Sequence, residues 1–215
     1  MKRLLVALAL LLFSVTAVAG VMEDAEPYLP ILKERIAKFW GNCQFPHVLA
    51  GQVEQESSWN PFAKLETSRE LGRGLAQITV TPRFNVYHDA VKFPELSKWD
   101  WQSDPYSPGN QLTFMVLTDK ANVSRVSKML TTGKEQMAGA LVAYNAGLGT
   151  VLQRNALAVQ KGTANGKWFG GLDQVRLPTE SRILYGKNLG EMRNEYPVKV
   201  FAKAEKYKPY FNKVK

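Results

Sequence analysis

The sequence is poor in the residues that hold metals and form disulfides. Of its 215 residues one is cysteine, Cys43, and two are histidine, His47 and His88. A single cysteine excludes an internal disulfide, so the chain depends on its core. No His/Cys/Asp pattern has the spacing of a metal site, and no cofactor is expected. Cys43 lies four residues before His47, but a nucleophilic pair would need a third group to orient it. Cys43 reads better as a small packing residue. Internal repeats and low-complexity tracts are also missing, and clear period-two strand patterns are few. Long apolar runs are confined to residues 4–13, too short for a comfortable membrane span. That run follows Lys2 and Arg3 and precedes Ala17-Val18-Ala19, the layout of a signal peptide over residues 1–19, cut before Gly20. No cysteine follows the run, which argues against a lipoprotein; the alternative is an uncleaved N-terminal anchor. Either way the folded part is expected outside the cytoplasm, in the periplasm or cell wall.

What remains is a chain able to fold. With 45% hydrophobic and 11% aromatic residues it can bury a real core. The formal charge is +9, of which Lys2 and Arg3 would leave with the signal. A basic chain favours anionic partners. For an exported one these are wall polymers and membrane head groups, and nucleic acid is not expected.

The periodicity predicts a mainly helical fold with little or no sheet. Leu29, Leu32, Ile36 and Phe39 recur at helical spacing, giving an amphipathic helix over 23–40. Pro27 and Pro30 confine its start. The N-terminal segment 20–45 is expected to pack over the domain that follows. Further helices are read over 110–130, 134–145, 149–158 and 180–194. The stretch 80–108 is rich in proline, with a short helix expected over 84–91. At least one of Trp99 and Trp101 should fill a mini-core of that loop. Residues 197–215 carry Lys199, Lys203, Lys206, Lys208, Lys213 and Lys215 among aromatics. They read as a tail, either a solvated helix ending in a loose terminus or a contact for an anionic wall or membrane surface.

Candidate chemistry centres on residues 46–61. Pro46 is tolerated in a first helical turn. Val48, Leu49 and Val53 share a face, Glu56 extends it, and Glu54 is expected to point into solvent. Burial would disfavour the charged form of Glu56 and raise its pKa, the setting of a general acid. The alternative is a structural glutamate satisfied by Arg or Lys. Gly72 and Gly74 allow close backbone approach or a tight turn, and Gln77 after them could project into a cleft. Tyr144 faces inward near a helix end, with Gly147 suited to a left-handed stop. Glu180 is favoured by the dipole at the start of its helix.

In order, Glu56-Ser57-Ser58-Trp59-Asn60-Pro61, Gly74-Leu75-Ala76-Gln77, Asp104-Pro105 with Asn110, Ala143-Tyr144-Asn145-Ala146-Gly147 and Glu180-Ser181-Arg182 resemble the motifs of the soluble lytic transglycosylase domain. That lysozyme-like family cleaves peptidoglycan. The resemblance implies a helical fold of the goose-type lysozyme kind, with a catalytic domain over 46–196. It implies Glu56 as sole acid and base, forming a 1,6-anhydro sugar end. Ser68, Gln77, Tyr144, Asn145 and Glu180 would bind the glycan strand. A hydrolytic muramidase on the same fold, or a non-catalytic glycan-binding scaffold, are the alternatives. The sequence departs from the pattern in places. The gap from Glu56 to Gln77 is longer, Ala76 stands where the family has Met in a sugar subsite, and Leu184 holds an aromatic position, with Tyr185 one later.

Overall fold

The structure is a computed structural model that describes residues 20–68, 70–184 and 186–212. The signal-like segment 1–19, Arg69, Tyr185 and the last three residues lie outside the described residues. The chain is mainly helical. After helical residues 20–25 come α1 (Leu29–Phe39), α2 (Pro46–Ser57), α3 (Val86–Ala90), α4 (Pro108–Val126), α5 (Gly133–Ala146), α6 (Leu148–Gln160), α7 (Leu189–Ala204) and the short α8 (Lys208–Phe211). Among the described residues no helix is long and apolar enough to cross a membrane. The same residues contain no His, Cys, Asp and Glu group that could hold a metal. The chain divides into two compact units, and the divisions fall inside α1, α2 and α4.

The first unit comprises the described residues up to Arg35 together with Val53–Phe114. It contains an antiparallel sheet ordered β1 (Lys64–Glu66), β2 (Leu71–Arg73), β3 (Ile78–Val80). Gly72 is the middle partner, opposite Leu65 on one side and Thr79 on the other. Sequence periodicity does not reveal these strands. Each has three residues, and Lys64-Leu65-Glu66 is exposed throughout, so no buried face repeats. The following loop does form its own core. Tyr87 stacks on Trp101 with centroids 5.0 Å apart and meets the edge of Trp99 at 5.2 Å. The Trp99 indole N–H donates to the Asp104 carbonyl at 2.9 Å. The Tyr87 hydroxyl donates to the Pro105 carbonyl at 3.1 Å.

The second unit comprises Ile36–Gln52 together with Met115–Lys215. Its core gathers Val126, Leu130, Ala138, Val142, Val151, Ala158 and Trp168. Small residues set the helix spacing. A Cβ on Gly51 of α2 would fall 2.6 Å from the Val200 carbonyl oxygen and 2.7 Å from the Ala204 nitrogen of α7. Thr132 caps α5 by accepting from the Glu135 N–H. The Glu135 carboxylate in turn accepts from the backbone N–H groups of Trp168 and Phe169, at 2.6 and 2.9 Å. One side chain thereby fixes the glycine-rich loop 161–171.

Two expected elements take a different form. The helix read over 180–194 is instead a 3₁₀ turn (Pro178–Ser181), a hairpin of β4 (Ile183–Leu184) and β5 (Lys187–Asn188), and then α7. Asn188 is the cap that wins, because its side chain accepts from the N–H groups of Gly190 and Glu191. The tail from residue 197 is helical, as read, but one side of it is buried rather than solvated. Pro197 lies inside α7, and Tyr196, Pro197, Val200, Ala204 and Tyr207 are buried. Their burial outweighs the hydrogen bond that a helical proline forgoes. Lys199 and Lys208 of this stretch pair with Glu195 and Glu205, at 2.7 and 2.6 Å.

Candidate functional site

Helix α2 is buried all round over residues 48–54, and only its last turn, 55–57, is half-buried. This corrects the expected phasing. Glu54 is not solvated but only 5% exposed, while Glu56 lies in the emerging turn. In a helix enclosed on every side, burial follows depth along the axis rather than face. Beyond Glu56 the backbone turns sharply through two left-handed residues, Ser58 (φ 50°) and Trp59 (φ 65°). Trp59 is 1% exposed and anchors the turn. The Asn60 side chain accepts from the Phe62 N–H at 2.9 Å.

This turn is joined to the second motif. The Ala63 carbonyl accepts from the Gly74 N–H at 2.7 Å and from the Gln77 Nε2 at 3.3 Å. Gln77 Nε2 also donates to the Gly74 carbonyl at 3.0 Å, and Gln77 itself has φ 45°. Gln77 was expected to address substrate from a cleft. Instead its amide nitrogen ties the two motif turns together, and its oxygen lies over Gly72, where a Cβ would come within 2.6 Å. It is a positioning residue of this turn pair. Ala76, which departs from the resembled motif, is fully buried.

Gln111, unremarked in the sequence reading, completes the frame. It is fully buried near the start of α4. Its Oε1 accepts from the Ala76 N–H at 2.9 Å, and its Nε2 donates to the Pro105 carbonyl at 2.7 Å. Gly74 (φ 71°) has no room for a Cβ, which would run into this carboxamide. One signal was available: Gln111 lies four residues before Met115 on the inward stripe of its helix.

Ser68 is exposed in the β1–β2 hairpin loop, where Thr67 and Glu70 close the turn. Asp100, in the loop after α3, is bound up in its own turn by the Ser103 hydroxyl (2.7 Å) and the N–H groups of Ser103 and Gln102, which hold its carboxyl below the usual range. The first unit therefore joins Gln77 and Gln111 through the 74–77 turn, and it also contains Glu56 at the end of α2 and Ser68 in the β1–β2 hairpin loop.

Tyr144, Asn145 and Glu180 belong to the second unit. Tyr144 is half-buried in the last turn of α5, and Asn145 beside it is exposed. Gly147 does take positive φ, 83°. Glu180 corrects its expected role. Its side chain has no exposed surface, and its carboxylate accepts from Arg154 Nη2 (2.7 Å), Arg193 Nη1 (3.0 Å) and the Leu177 N–H (2.9 Å). Such a carboxylate organises the interior rather than touching a glycan. Arg154, also at 0% exposure, is further held by Asn194 at 2.7 Å and lies over the Trp168 ring.

Burial pushes the Cys43 thiol up to about 12, and burial with the nearby Lys208 charge lowers the His47 imidazole below its ordinary value. Both shifts favour the neutral thiol and the neutral imidazole, the opposite of what a thiolate–imidazolium pair needs. Compared with protein-family models and with curated proteins, the chain matches none.

Proposed function

We propose that this protein is a peptidoglycan lytic transglycosylase on a lysozyme-like helical fold, with Glu56 as its acid and base. The observation that carries this reading is where the strained backbone lies. Among the described residues, non-glycine positive φ occurs at Ser58, Trp59 and Gln77, all within the two motif stretches. Such residues cost about 1–3 kcal/mol each and persist where the surroundings enforce them, as at active sites. Here the enforcement is explicit, through the Ala63, Gly74 and Gln77 bonds and the Gln111 strut. Glu56 stands directly before the strained turn, half-buried at the mouth of an enclosed helix.

In the proposed reaction Glu56 protonates the glycosidic oxygen as the bond from C1 of muramic acid breaks. Its carboxylate then takes the proton of the C6 hydroxyl of the same sugar. The O6–C1 bond forms and closes the 1,6-anhydro ring. Intramolecular attack has an effective concentration of roughly 10⁵ M or more, so no second carboxylate is required to activate water. The engagement of Asp100 in its own turn is consistent with a single-carboxylate site. An exported, basic chain suits an anionic wall polymer as substrate.

Product analysis on purified peptidoglycan tests the reading. Wild type should release anhydro-muramic ends, Glu56→Gln should abolish release, and Glu54→Gln should keep it if the fold holds. Reducing ends would make the enzyme a muramidase. Activity that survives Glu56→Gln but is lost in a folded Glu54→Gln would move the acid to Glu54.

A further inference from the structure

A pocket lies in the unit of Ile36–Gln52 and Met115–Lys215 and contains none of the candidate site residues. It has a volume of about 140 Å³, and Trp40, Asn42, Gln44, Phe45, Gly133 and Gln136 line it. None of its lining side chains is charged. Three carboxamides and two aromatic rings stand beside the aliphatic Val123 and Met137. Carboxamides both donate and accept, which suits hydroxyl and amide groups of a neutral ligand. Aromatic faces suit the apolar face of a ring. The volume is below the roughly 300 Å³ at which drug-sized pockets begin, so it takes one ring or part of one.

The pocket is preformed. The turn after α1 is closed by the Cys43 N–H on the Trp40 carbonyl at 2.8 Å, and Lys120 Nζ holds the Phe39 carbonyl at 2.7 Å. Gln136 Nε2 donates to the Leu130 carbonyl at 2.9 Å, which fixes its amide and leaves its oxygen as an acceptor. Gly133 carries no Cβ, so the Gln44–Phe45 turn can lie on the first turn of α5; an added Cβ would strike Gln44 and come within 3.1 Å of Phe45. A preformed site loses less on binding than one that must order itself.

We infer that this pocket is a second, non-catalytic saccharide site that takes a single N-acetylated hexose. The choice of an acetamido sugar among neutral rings rests on the proposed wall-glycan substrate.

The test uses the full chain carrying Glu56→Gln, titrated with N-acetylglucosamine. Nuclear magnetic resonance would follow the side-chain amides of Asn42, Gln44 and Gln136 and the Trp40 indole. These signals should shift saturably. Asn42 and Gln44 are exposed, so Asn42→Ala with Gln44→Ala keeps the fold. That double variant should weaken binding about tenfold or more, ~1.4 kcal/mol. Unshifted signals, or unchanged affinity in the folded double variant, would overturn the assignment. Product release by wild type reads the catalytic proposal separately. An inactive wild type whose pocket still binds the sugar would reject the catalytic proposal and uphold the site.

Discussion

Replacing Glu180 with alanine should unfold this protein more readily than any exposed substitution. Glu180 and Arg154 both have fully buried side chains, and the carboxylate gathers Arg154, Arg193 and the Leu177 N–H. Removing it strands the Arg154 guanidinium in the interior, with Asn194 and the Leu172 carbonyl as remaining partners. Loss of one member of a buried pair costs about 3–5 kcal/mol, or roughly 6–20 °C in Tm for a chain of this size. Arg193 is 16% exposed at its side chain and can turn to water, so the cost falls mainly on Arg154. Urea unfolding followed by circular dichroism measures it. Arg154→Met with Glu180→Leu should be less destabilised than Glu180→Ala alone, because no charge is left unpaired. A loss below about 1 kcal/mol for Glu180→Ala, the range of an exposed pair, would refute this account. The pair also sets a pH response. Burial pushes the Glu180 carboxyl up, but the hydrogen bonds from Arg154, Leu177 and Arg193 outweigh it and hold it below the ordinary range. Its stabilisation is complete above the unfolded value of about 4.3 and drains away as pH falls below it. Stability of Glu180→Gln should be flatter across that acidic window.

Gly74→Ala should destabilise by about 2 kcal/mol or more, since it adds left-handed strain and a clash with Gln111; thermal unfolding reads it. Gln111→Met keeps the bulk but abandons the Ala76 N–H and the Pro105 carbonyl, at about 1–3 kcal/mol for each group left buried. At a temperature where it stays folded, this variant should lose glycan cleavage out of proportion to its helix content. Cys43, its thiol held near 12, should resist a disulfide reagent at pH 8 and react fully in denaturant. Glu135→Ala should release the amides of Trp168 and Phe169 to hydrogen exchange while the α6 amides stay protected.

The helices were legible because their apolar residues repeat at a spacing that packing requires. Leu29, Leu32 and Ile36 are buried as their period implies, and the helices read over 110–130, 134–145 and 149–158 correspond to α4, α5 and α6 within a few residues. The sheet was not legible. Three-residue strands built from Lys64-Leu65-Glu66 and Leu71-Gly72-Arg73 have no room to show a period, and cross-strand pairing rather than propensity holds them. Polar residues with two partners were the other blind spot. The sequence presents Gln77 and Glu180 as groups that face a ligand and does not single out Gln111. Each is instead tied to a carbonyl, an N–H or a guanidinium distant in sequence. Arg154 shares its helical stripe with Val151 and Ala158, both buried. An arginine on such a stripe requires a buried carboxylate, and Glu180 could have been inferred from it.

The Glu54–Glu56 reversal follows from what periodicity measures. A hydrophobic stripe reports angle around a helix axis, and it separates buried from exposed only where one side meets water. Seven successive residues of α2, 48–54, are buried, so angle carries no information there. Exposure returns at 55–57 because the helix has reached the end of its enclosure, where Ser58 and Trp59 turn the chain. The half-burial of Glu56 is thus set by the position of that turn along the axis. Inserting one alanine between Val53 and Glu54 tests this. It rotates Glu56 by about 100° but advances it only 1.5 Å. If depth governs, the carboxylate stays half-buried while the strained turn must be rebuilt. The insertion should then cost activity mainly through the Ala63–Gly74–Gln77 bonds, seen as lost amide protection at Gly74. Intact protection at Gly74 together with lost cleavage would instead make the angular position of Glu56 decisive.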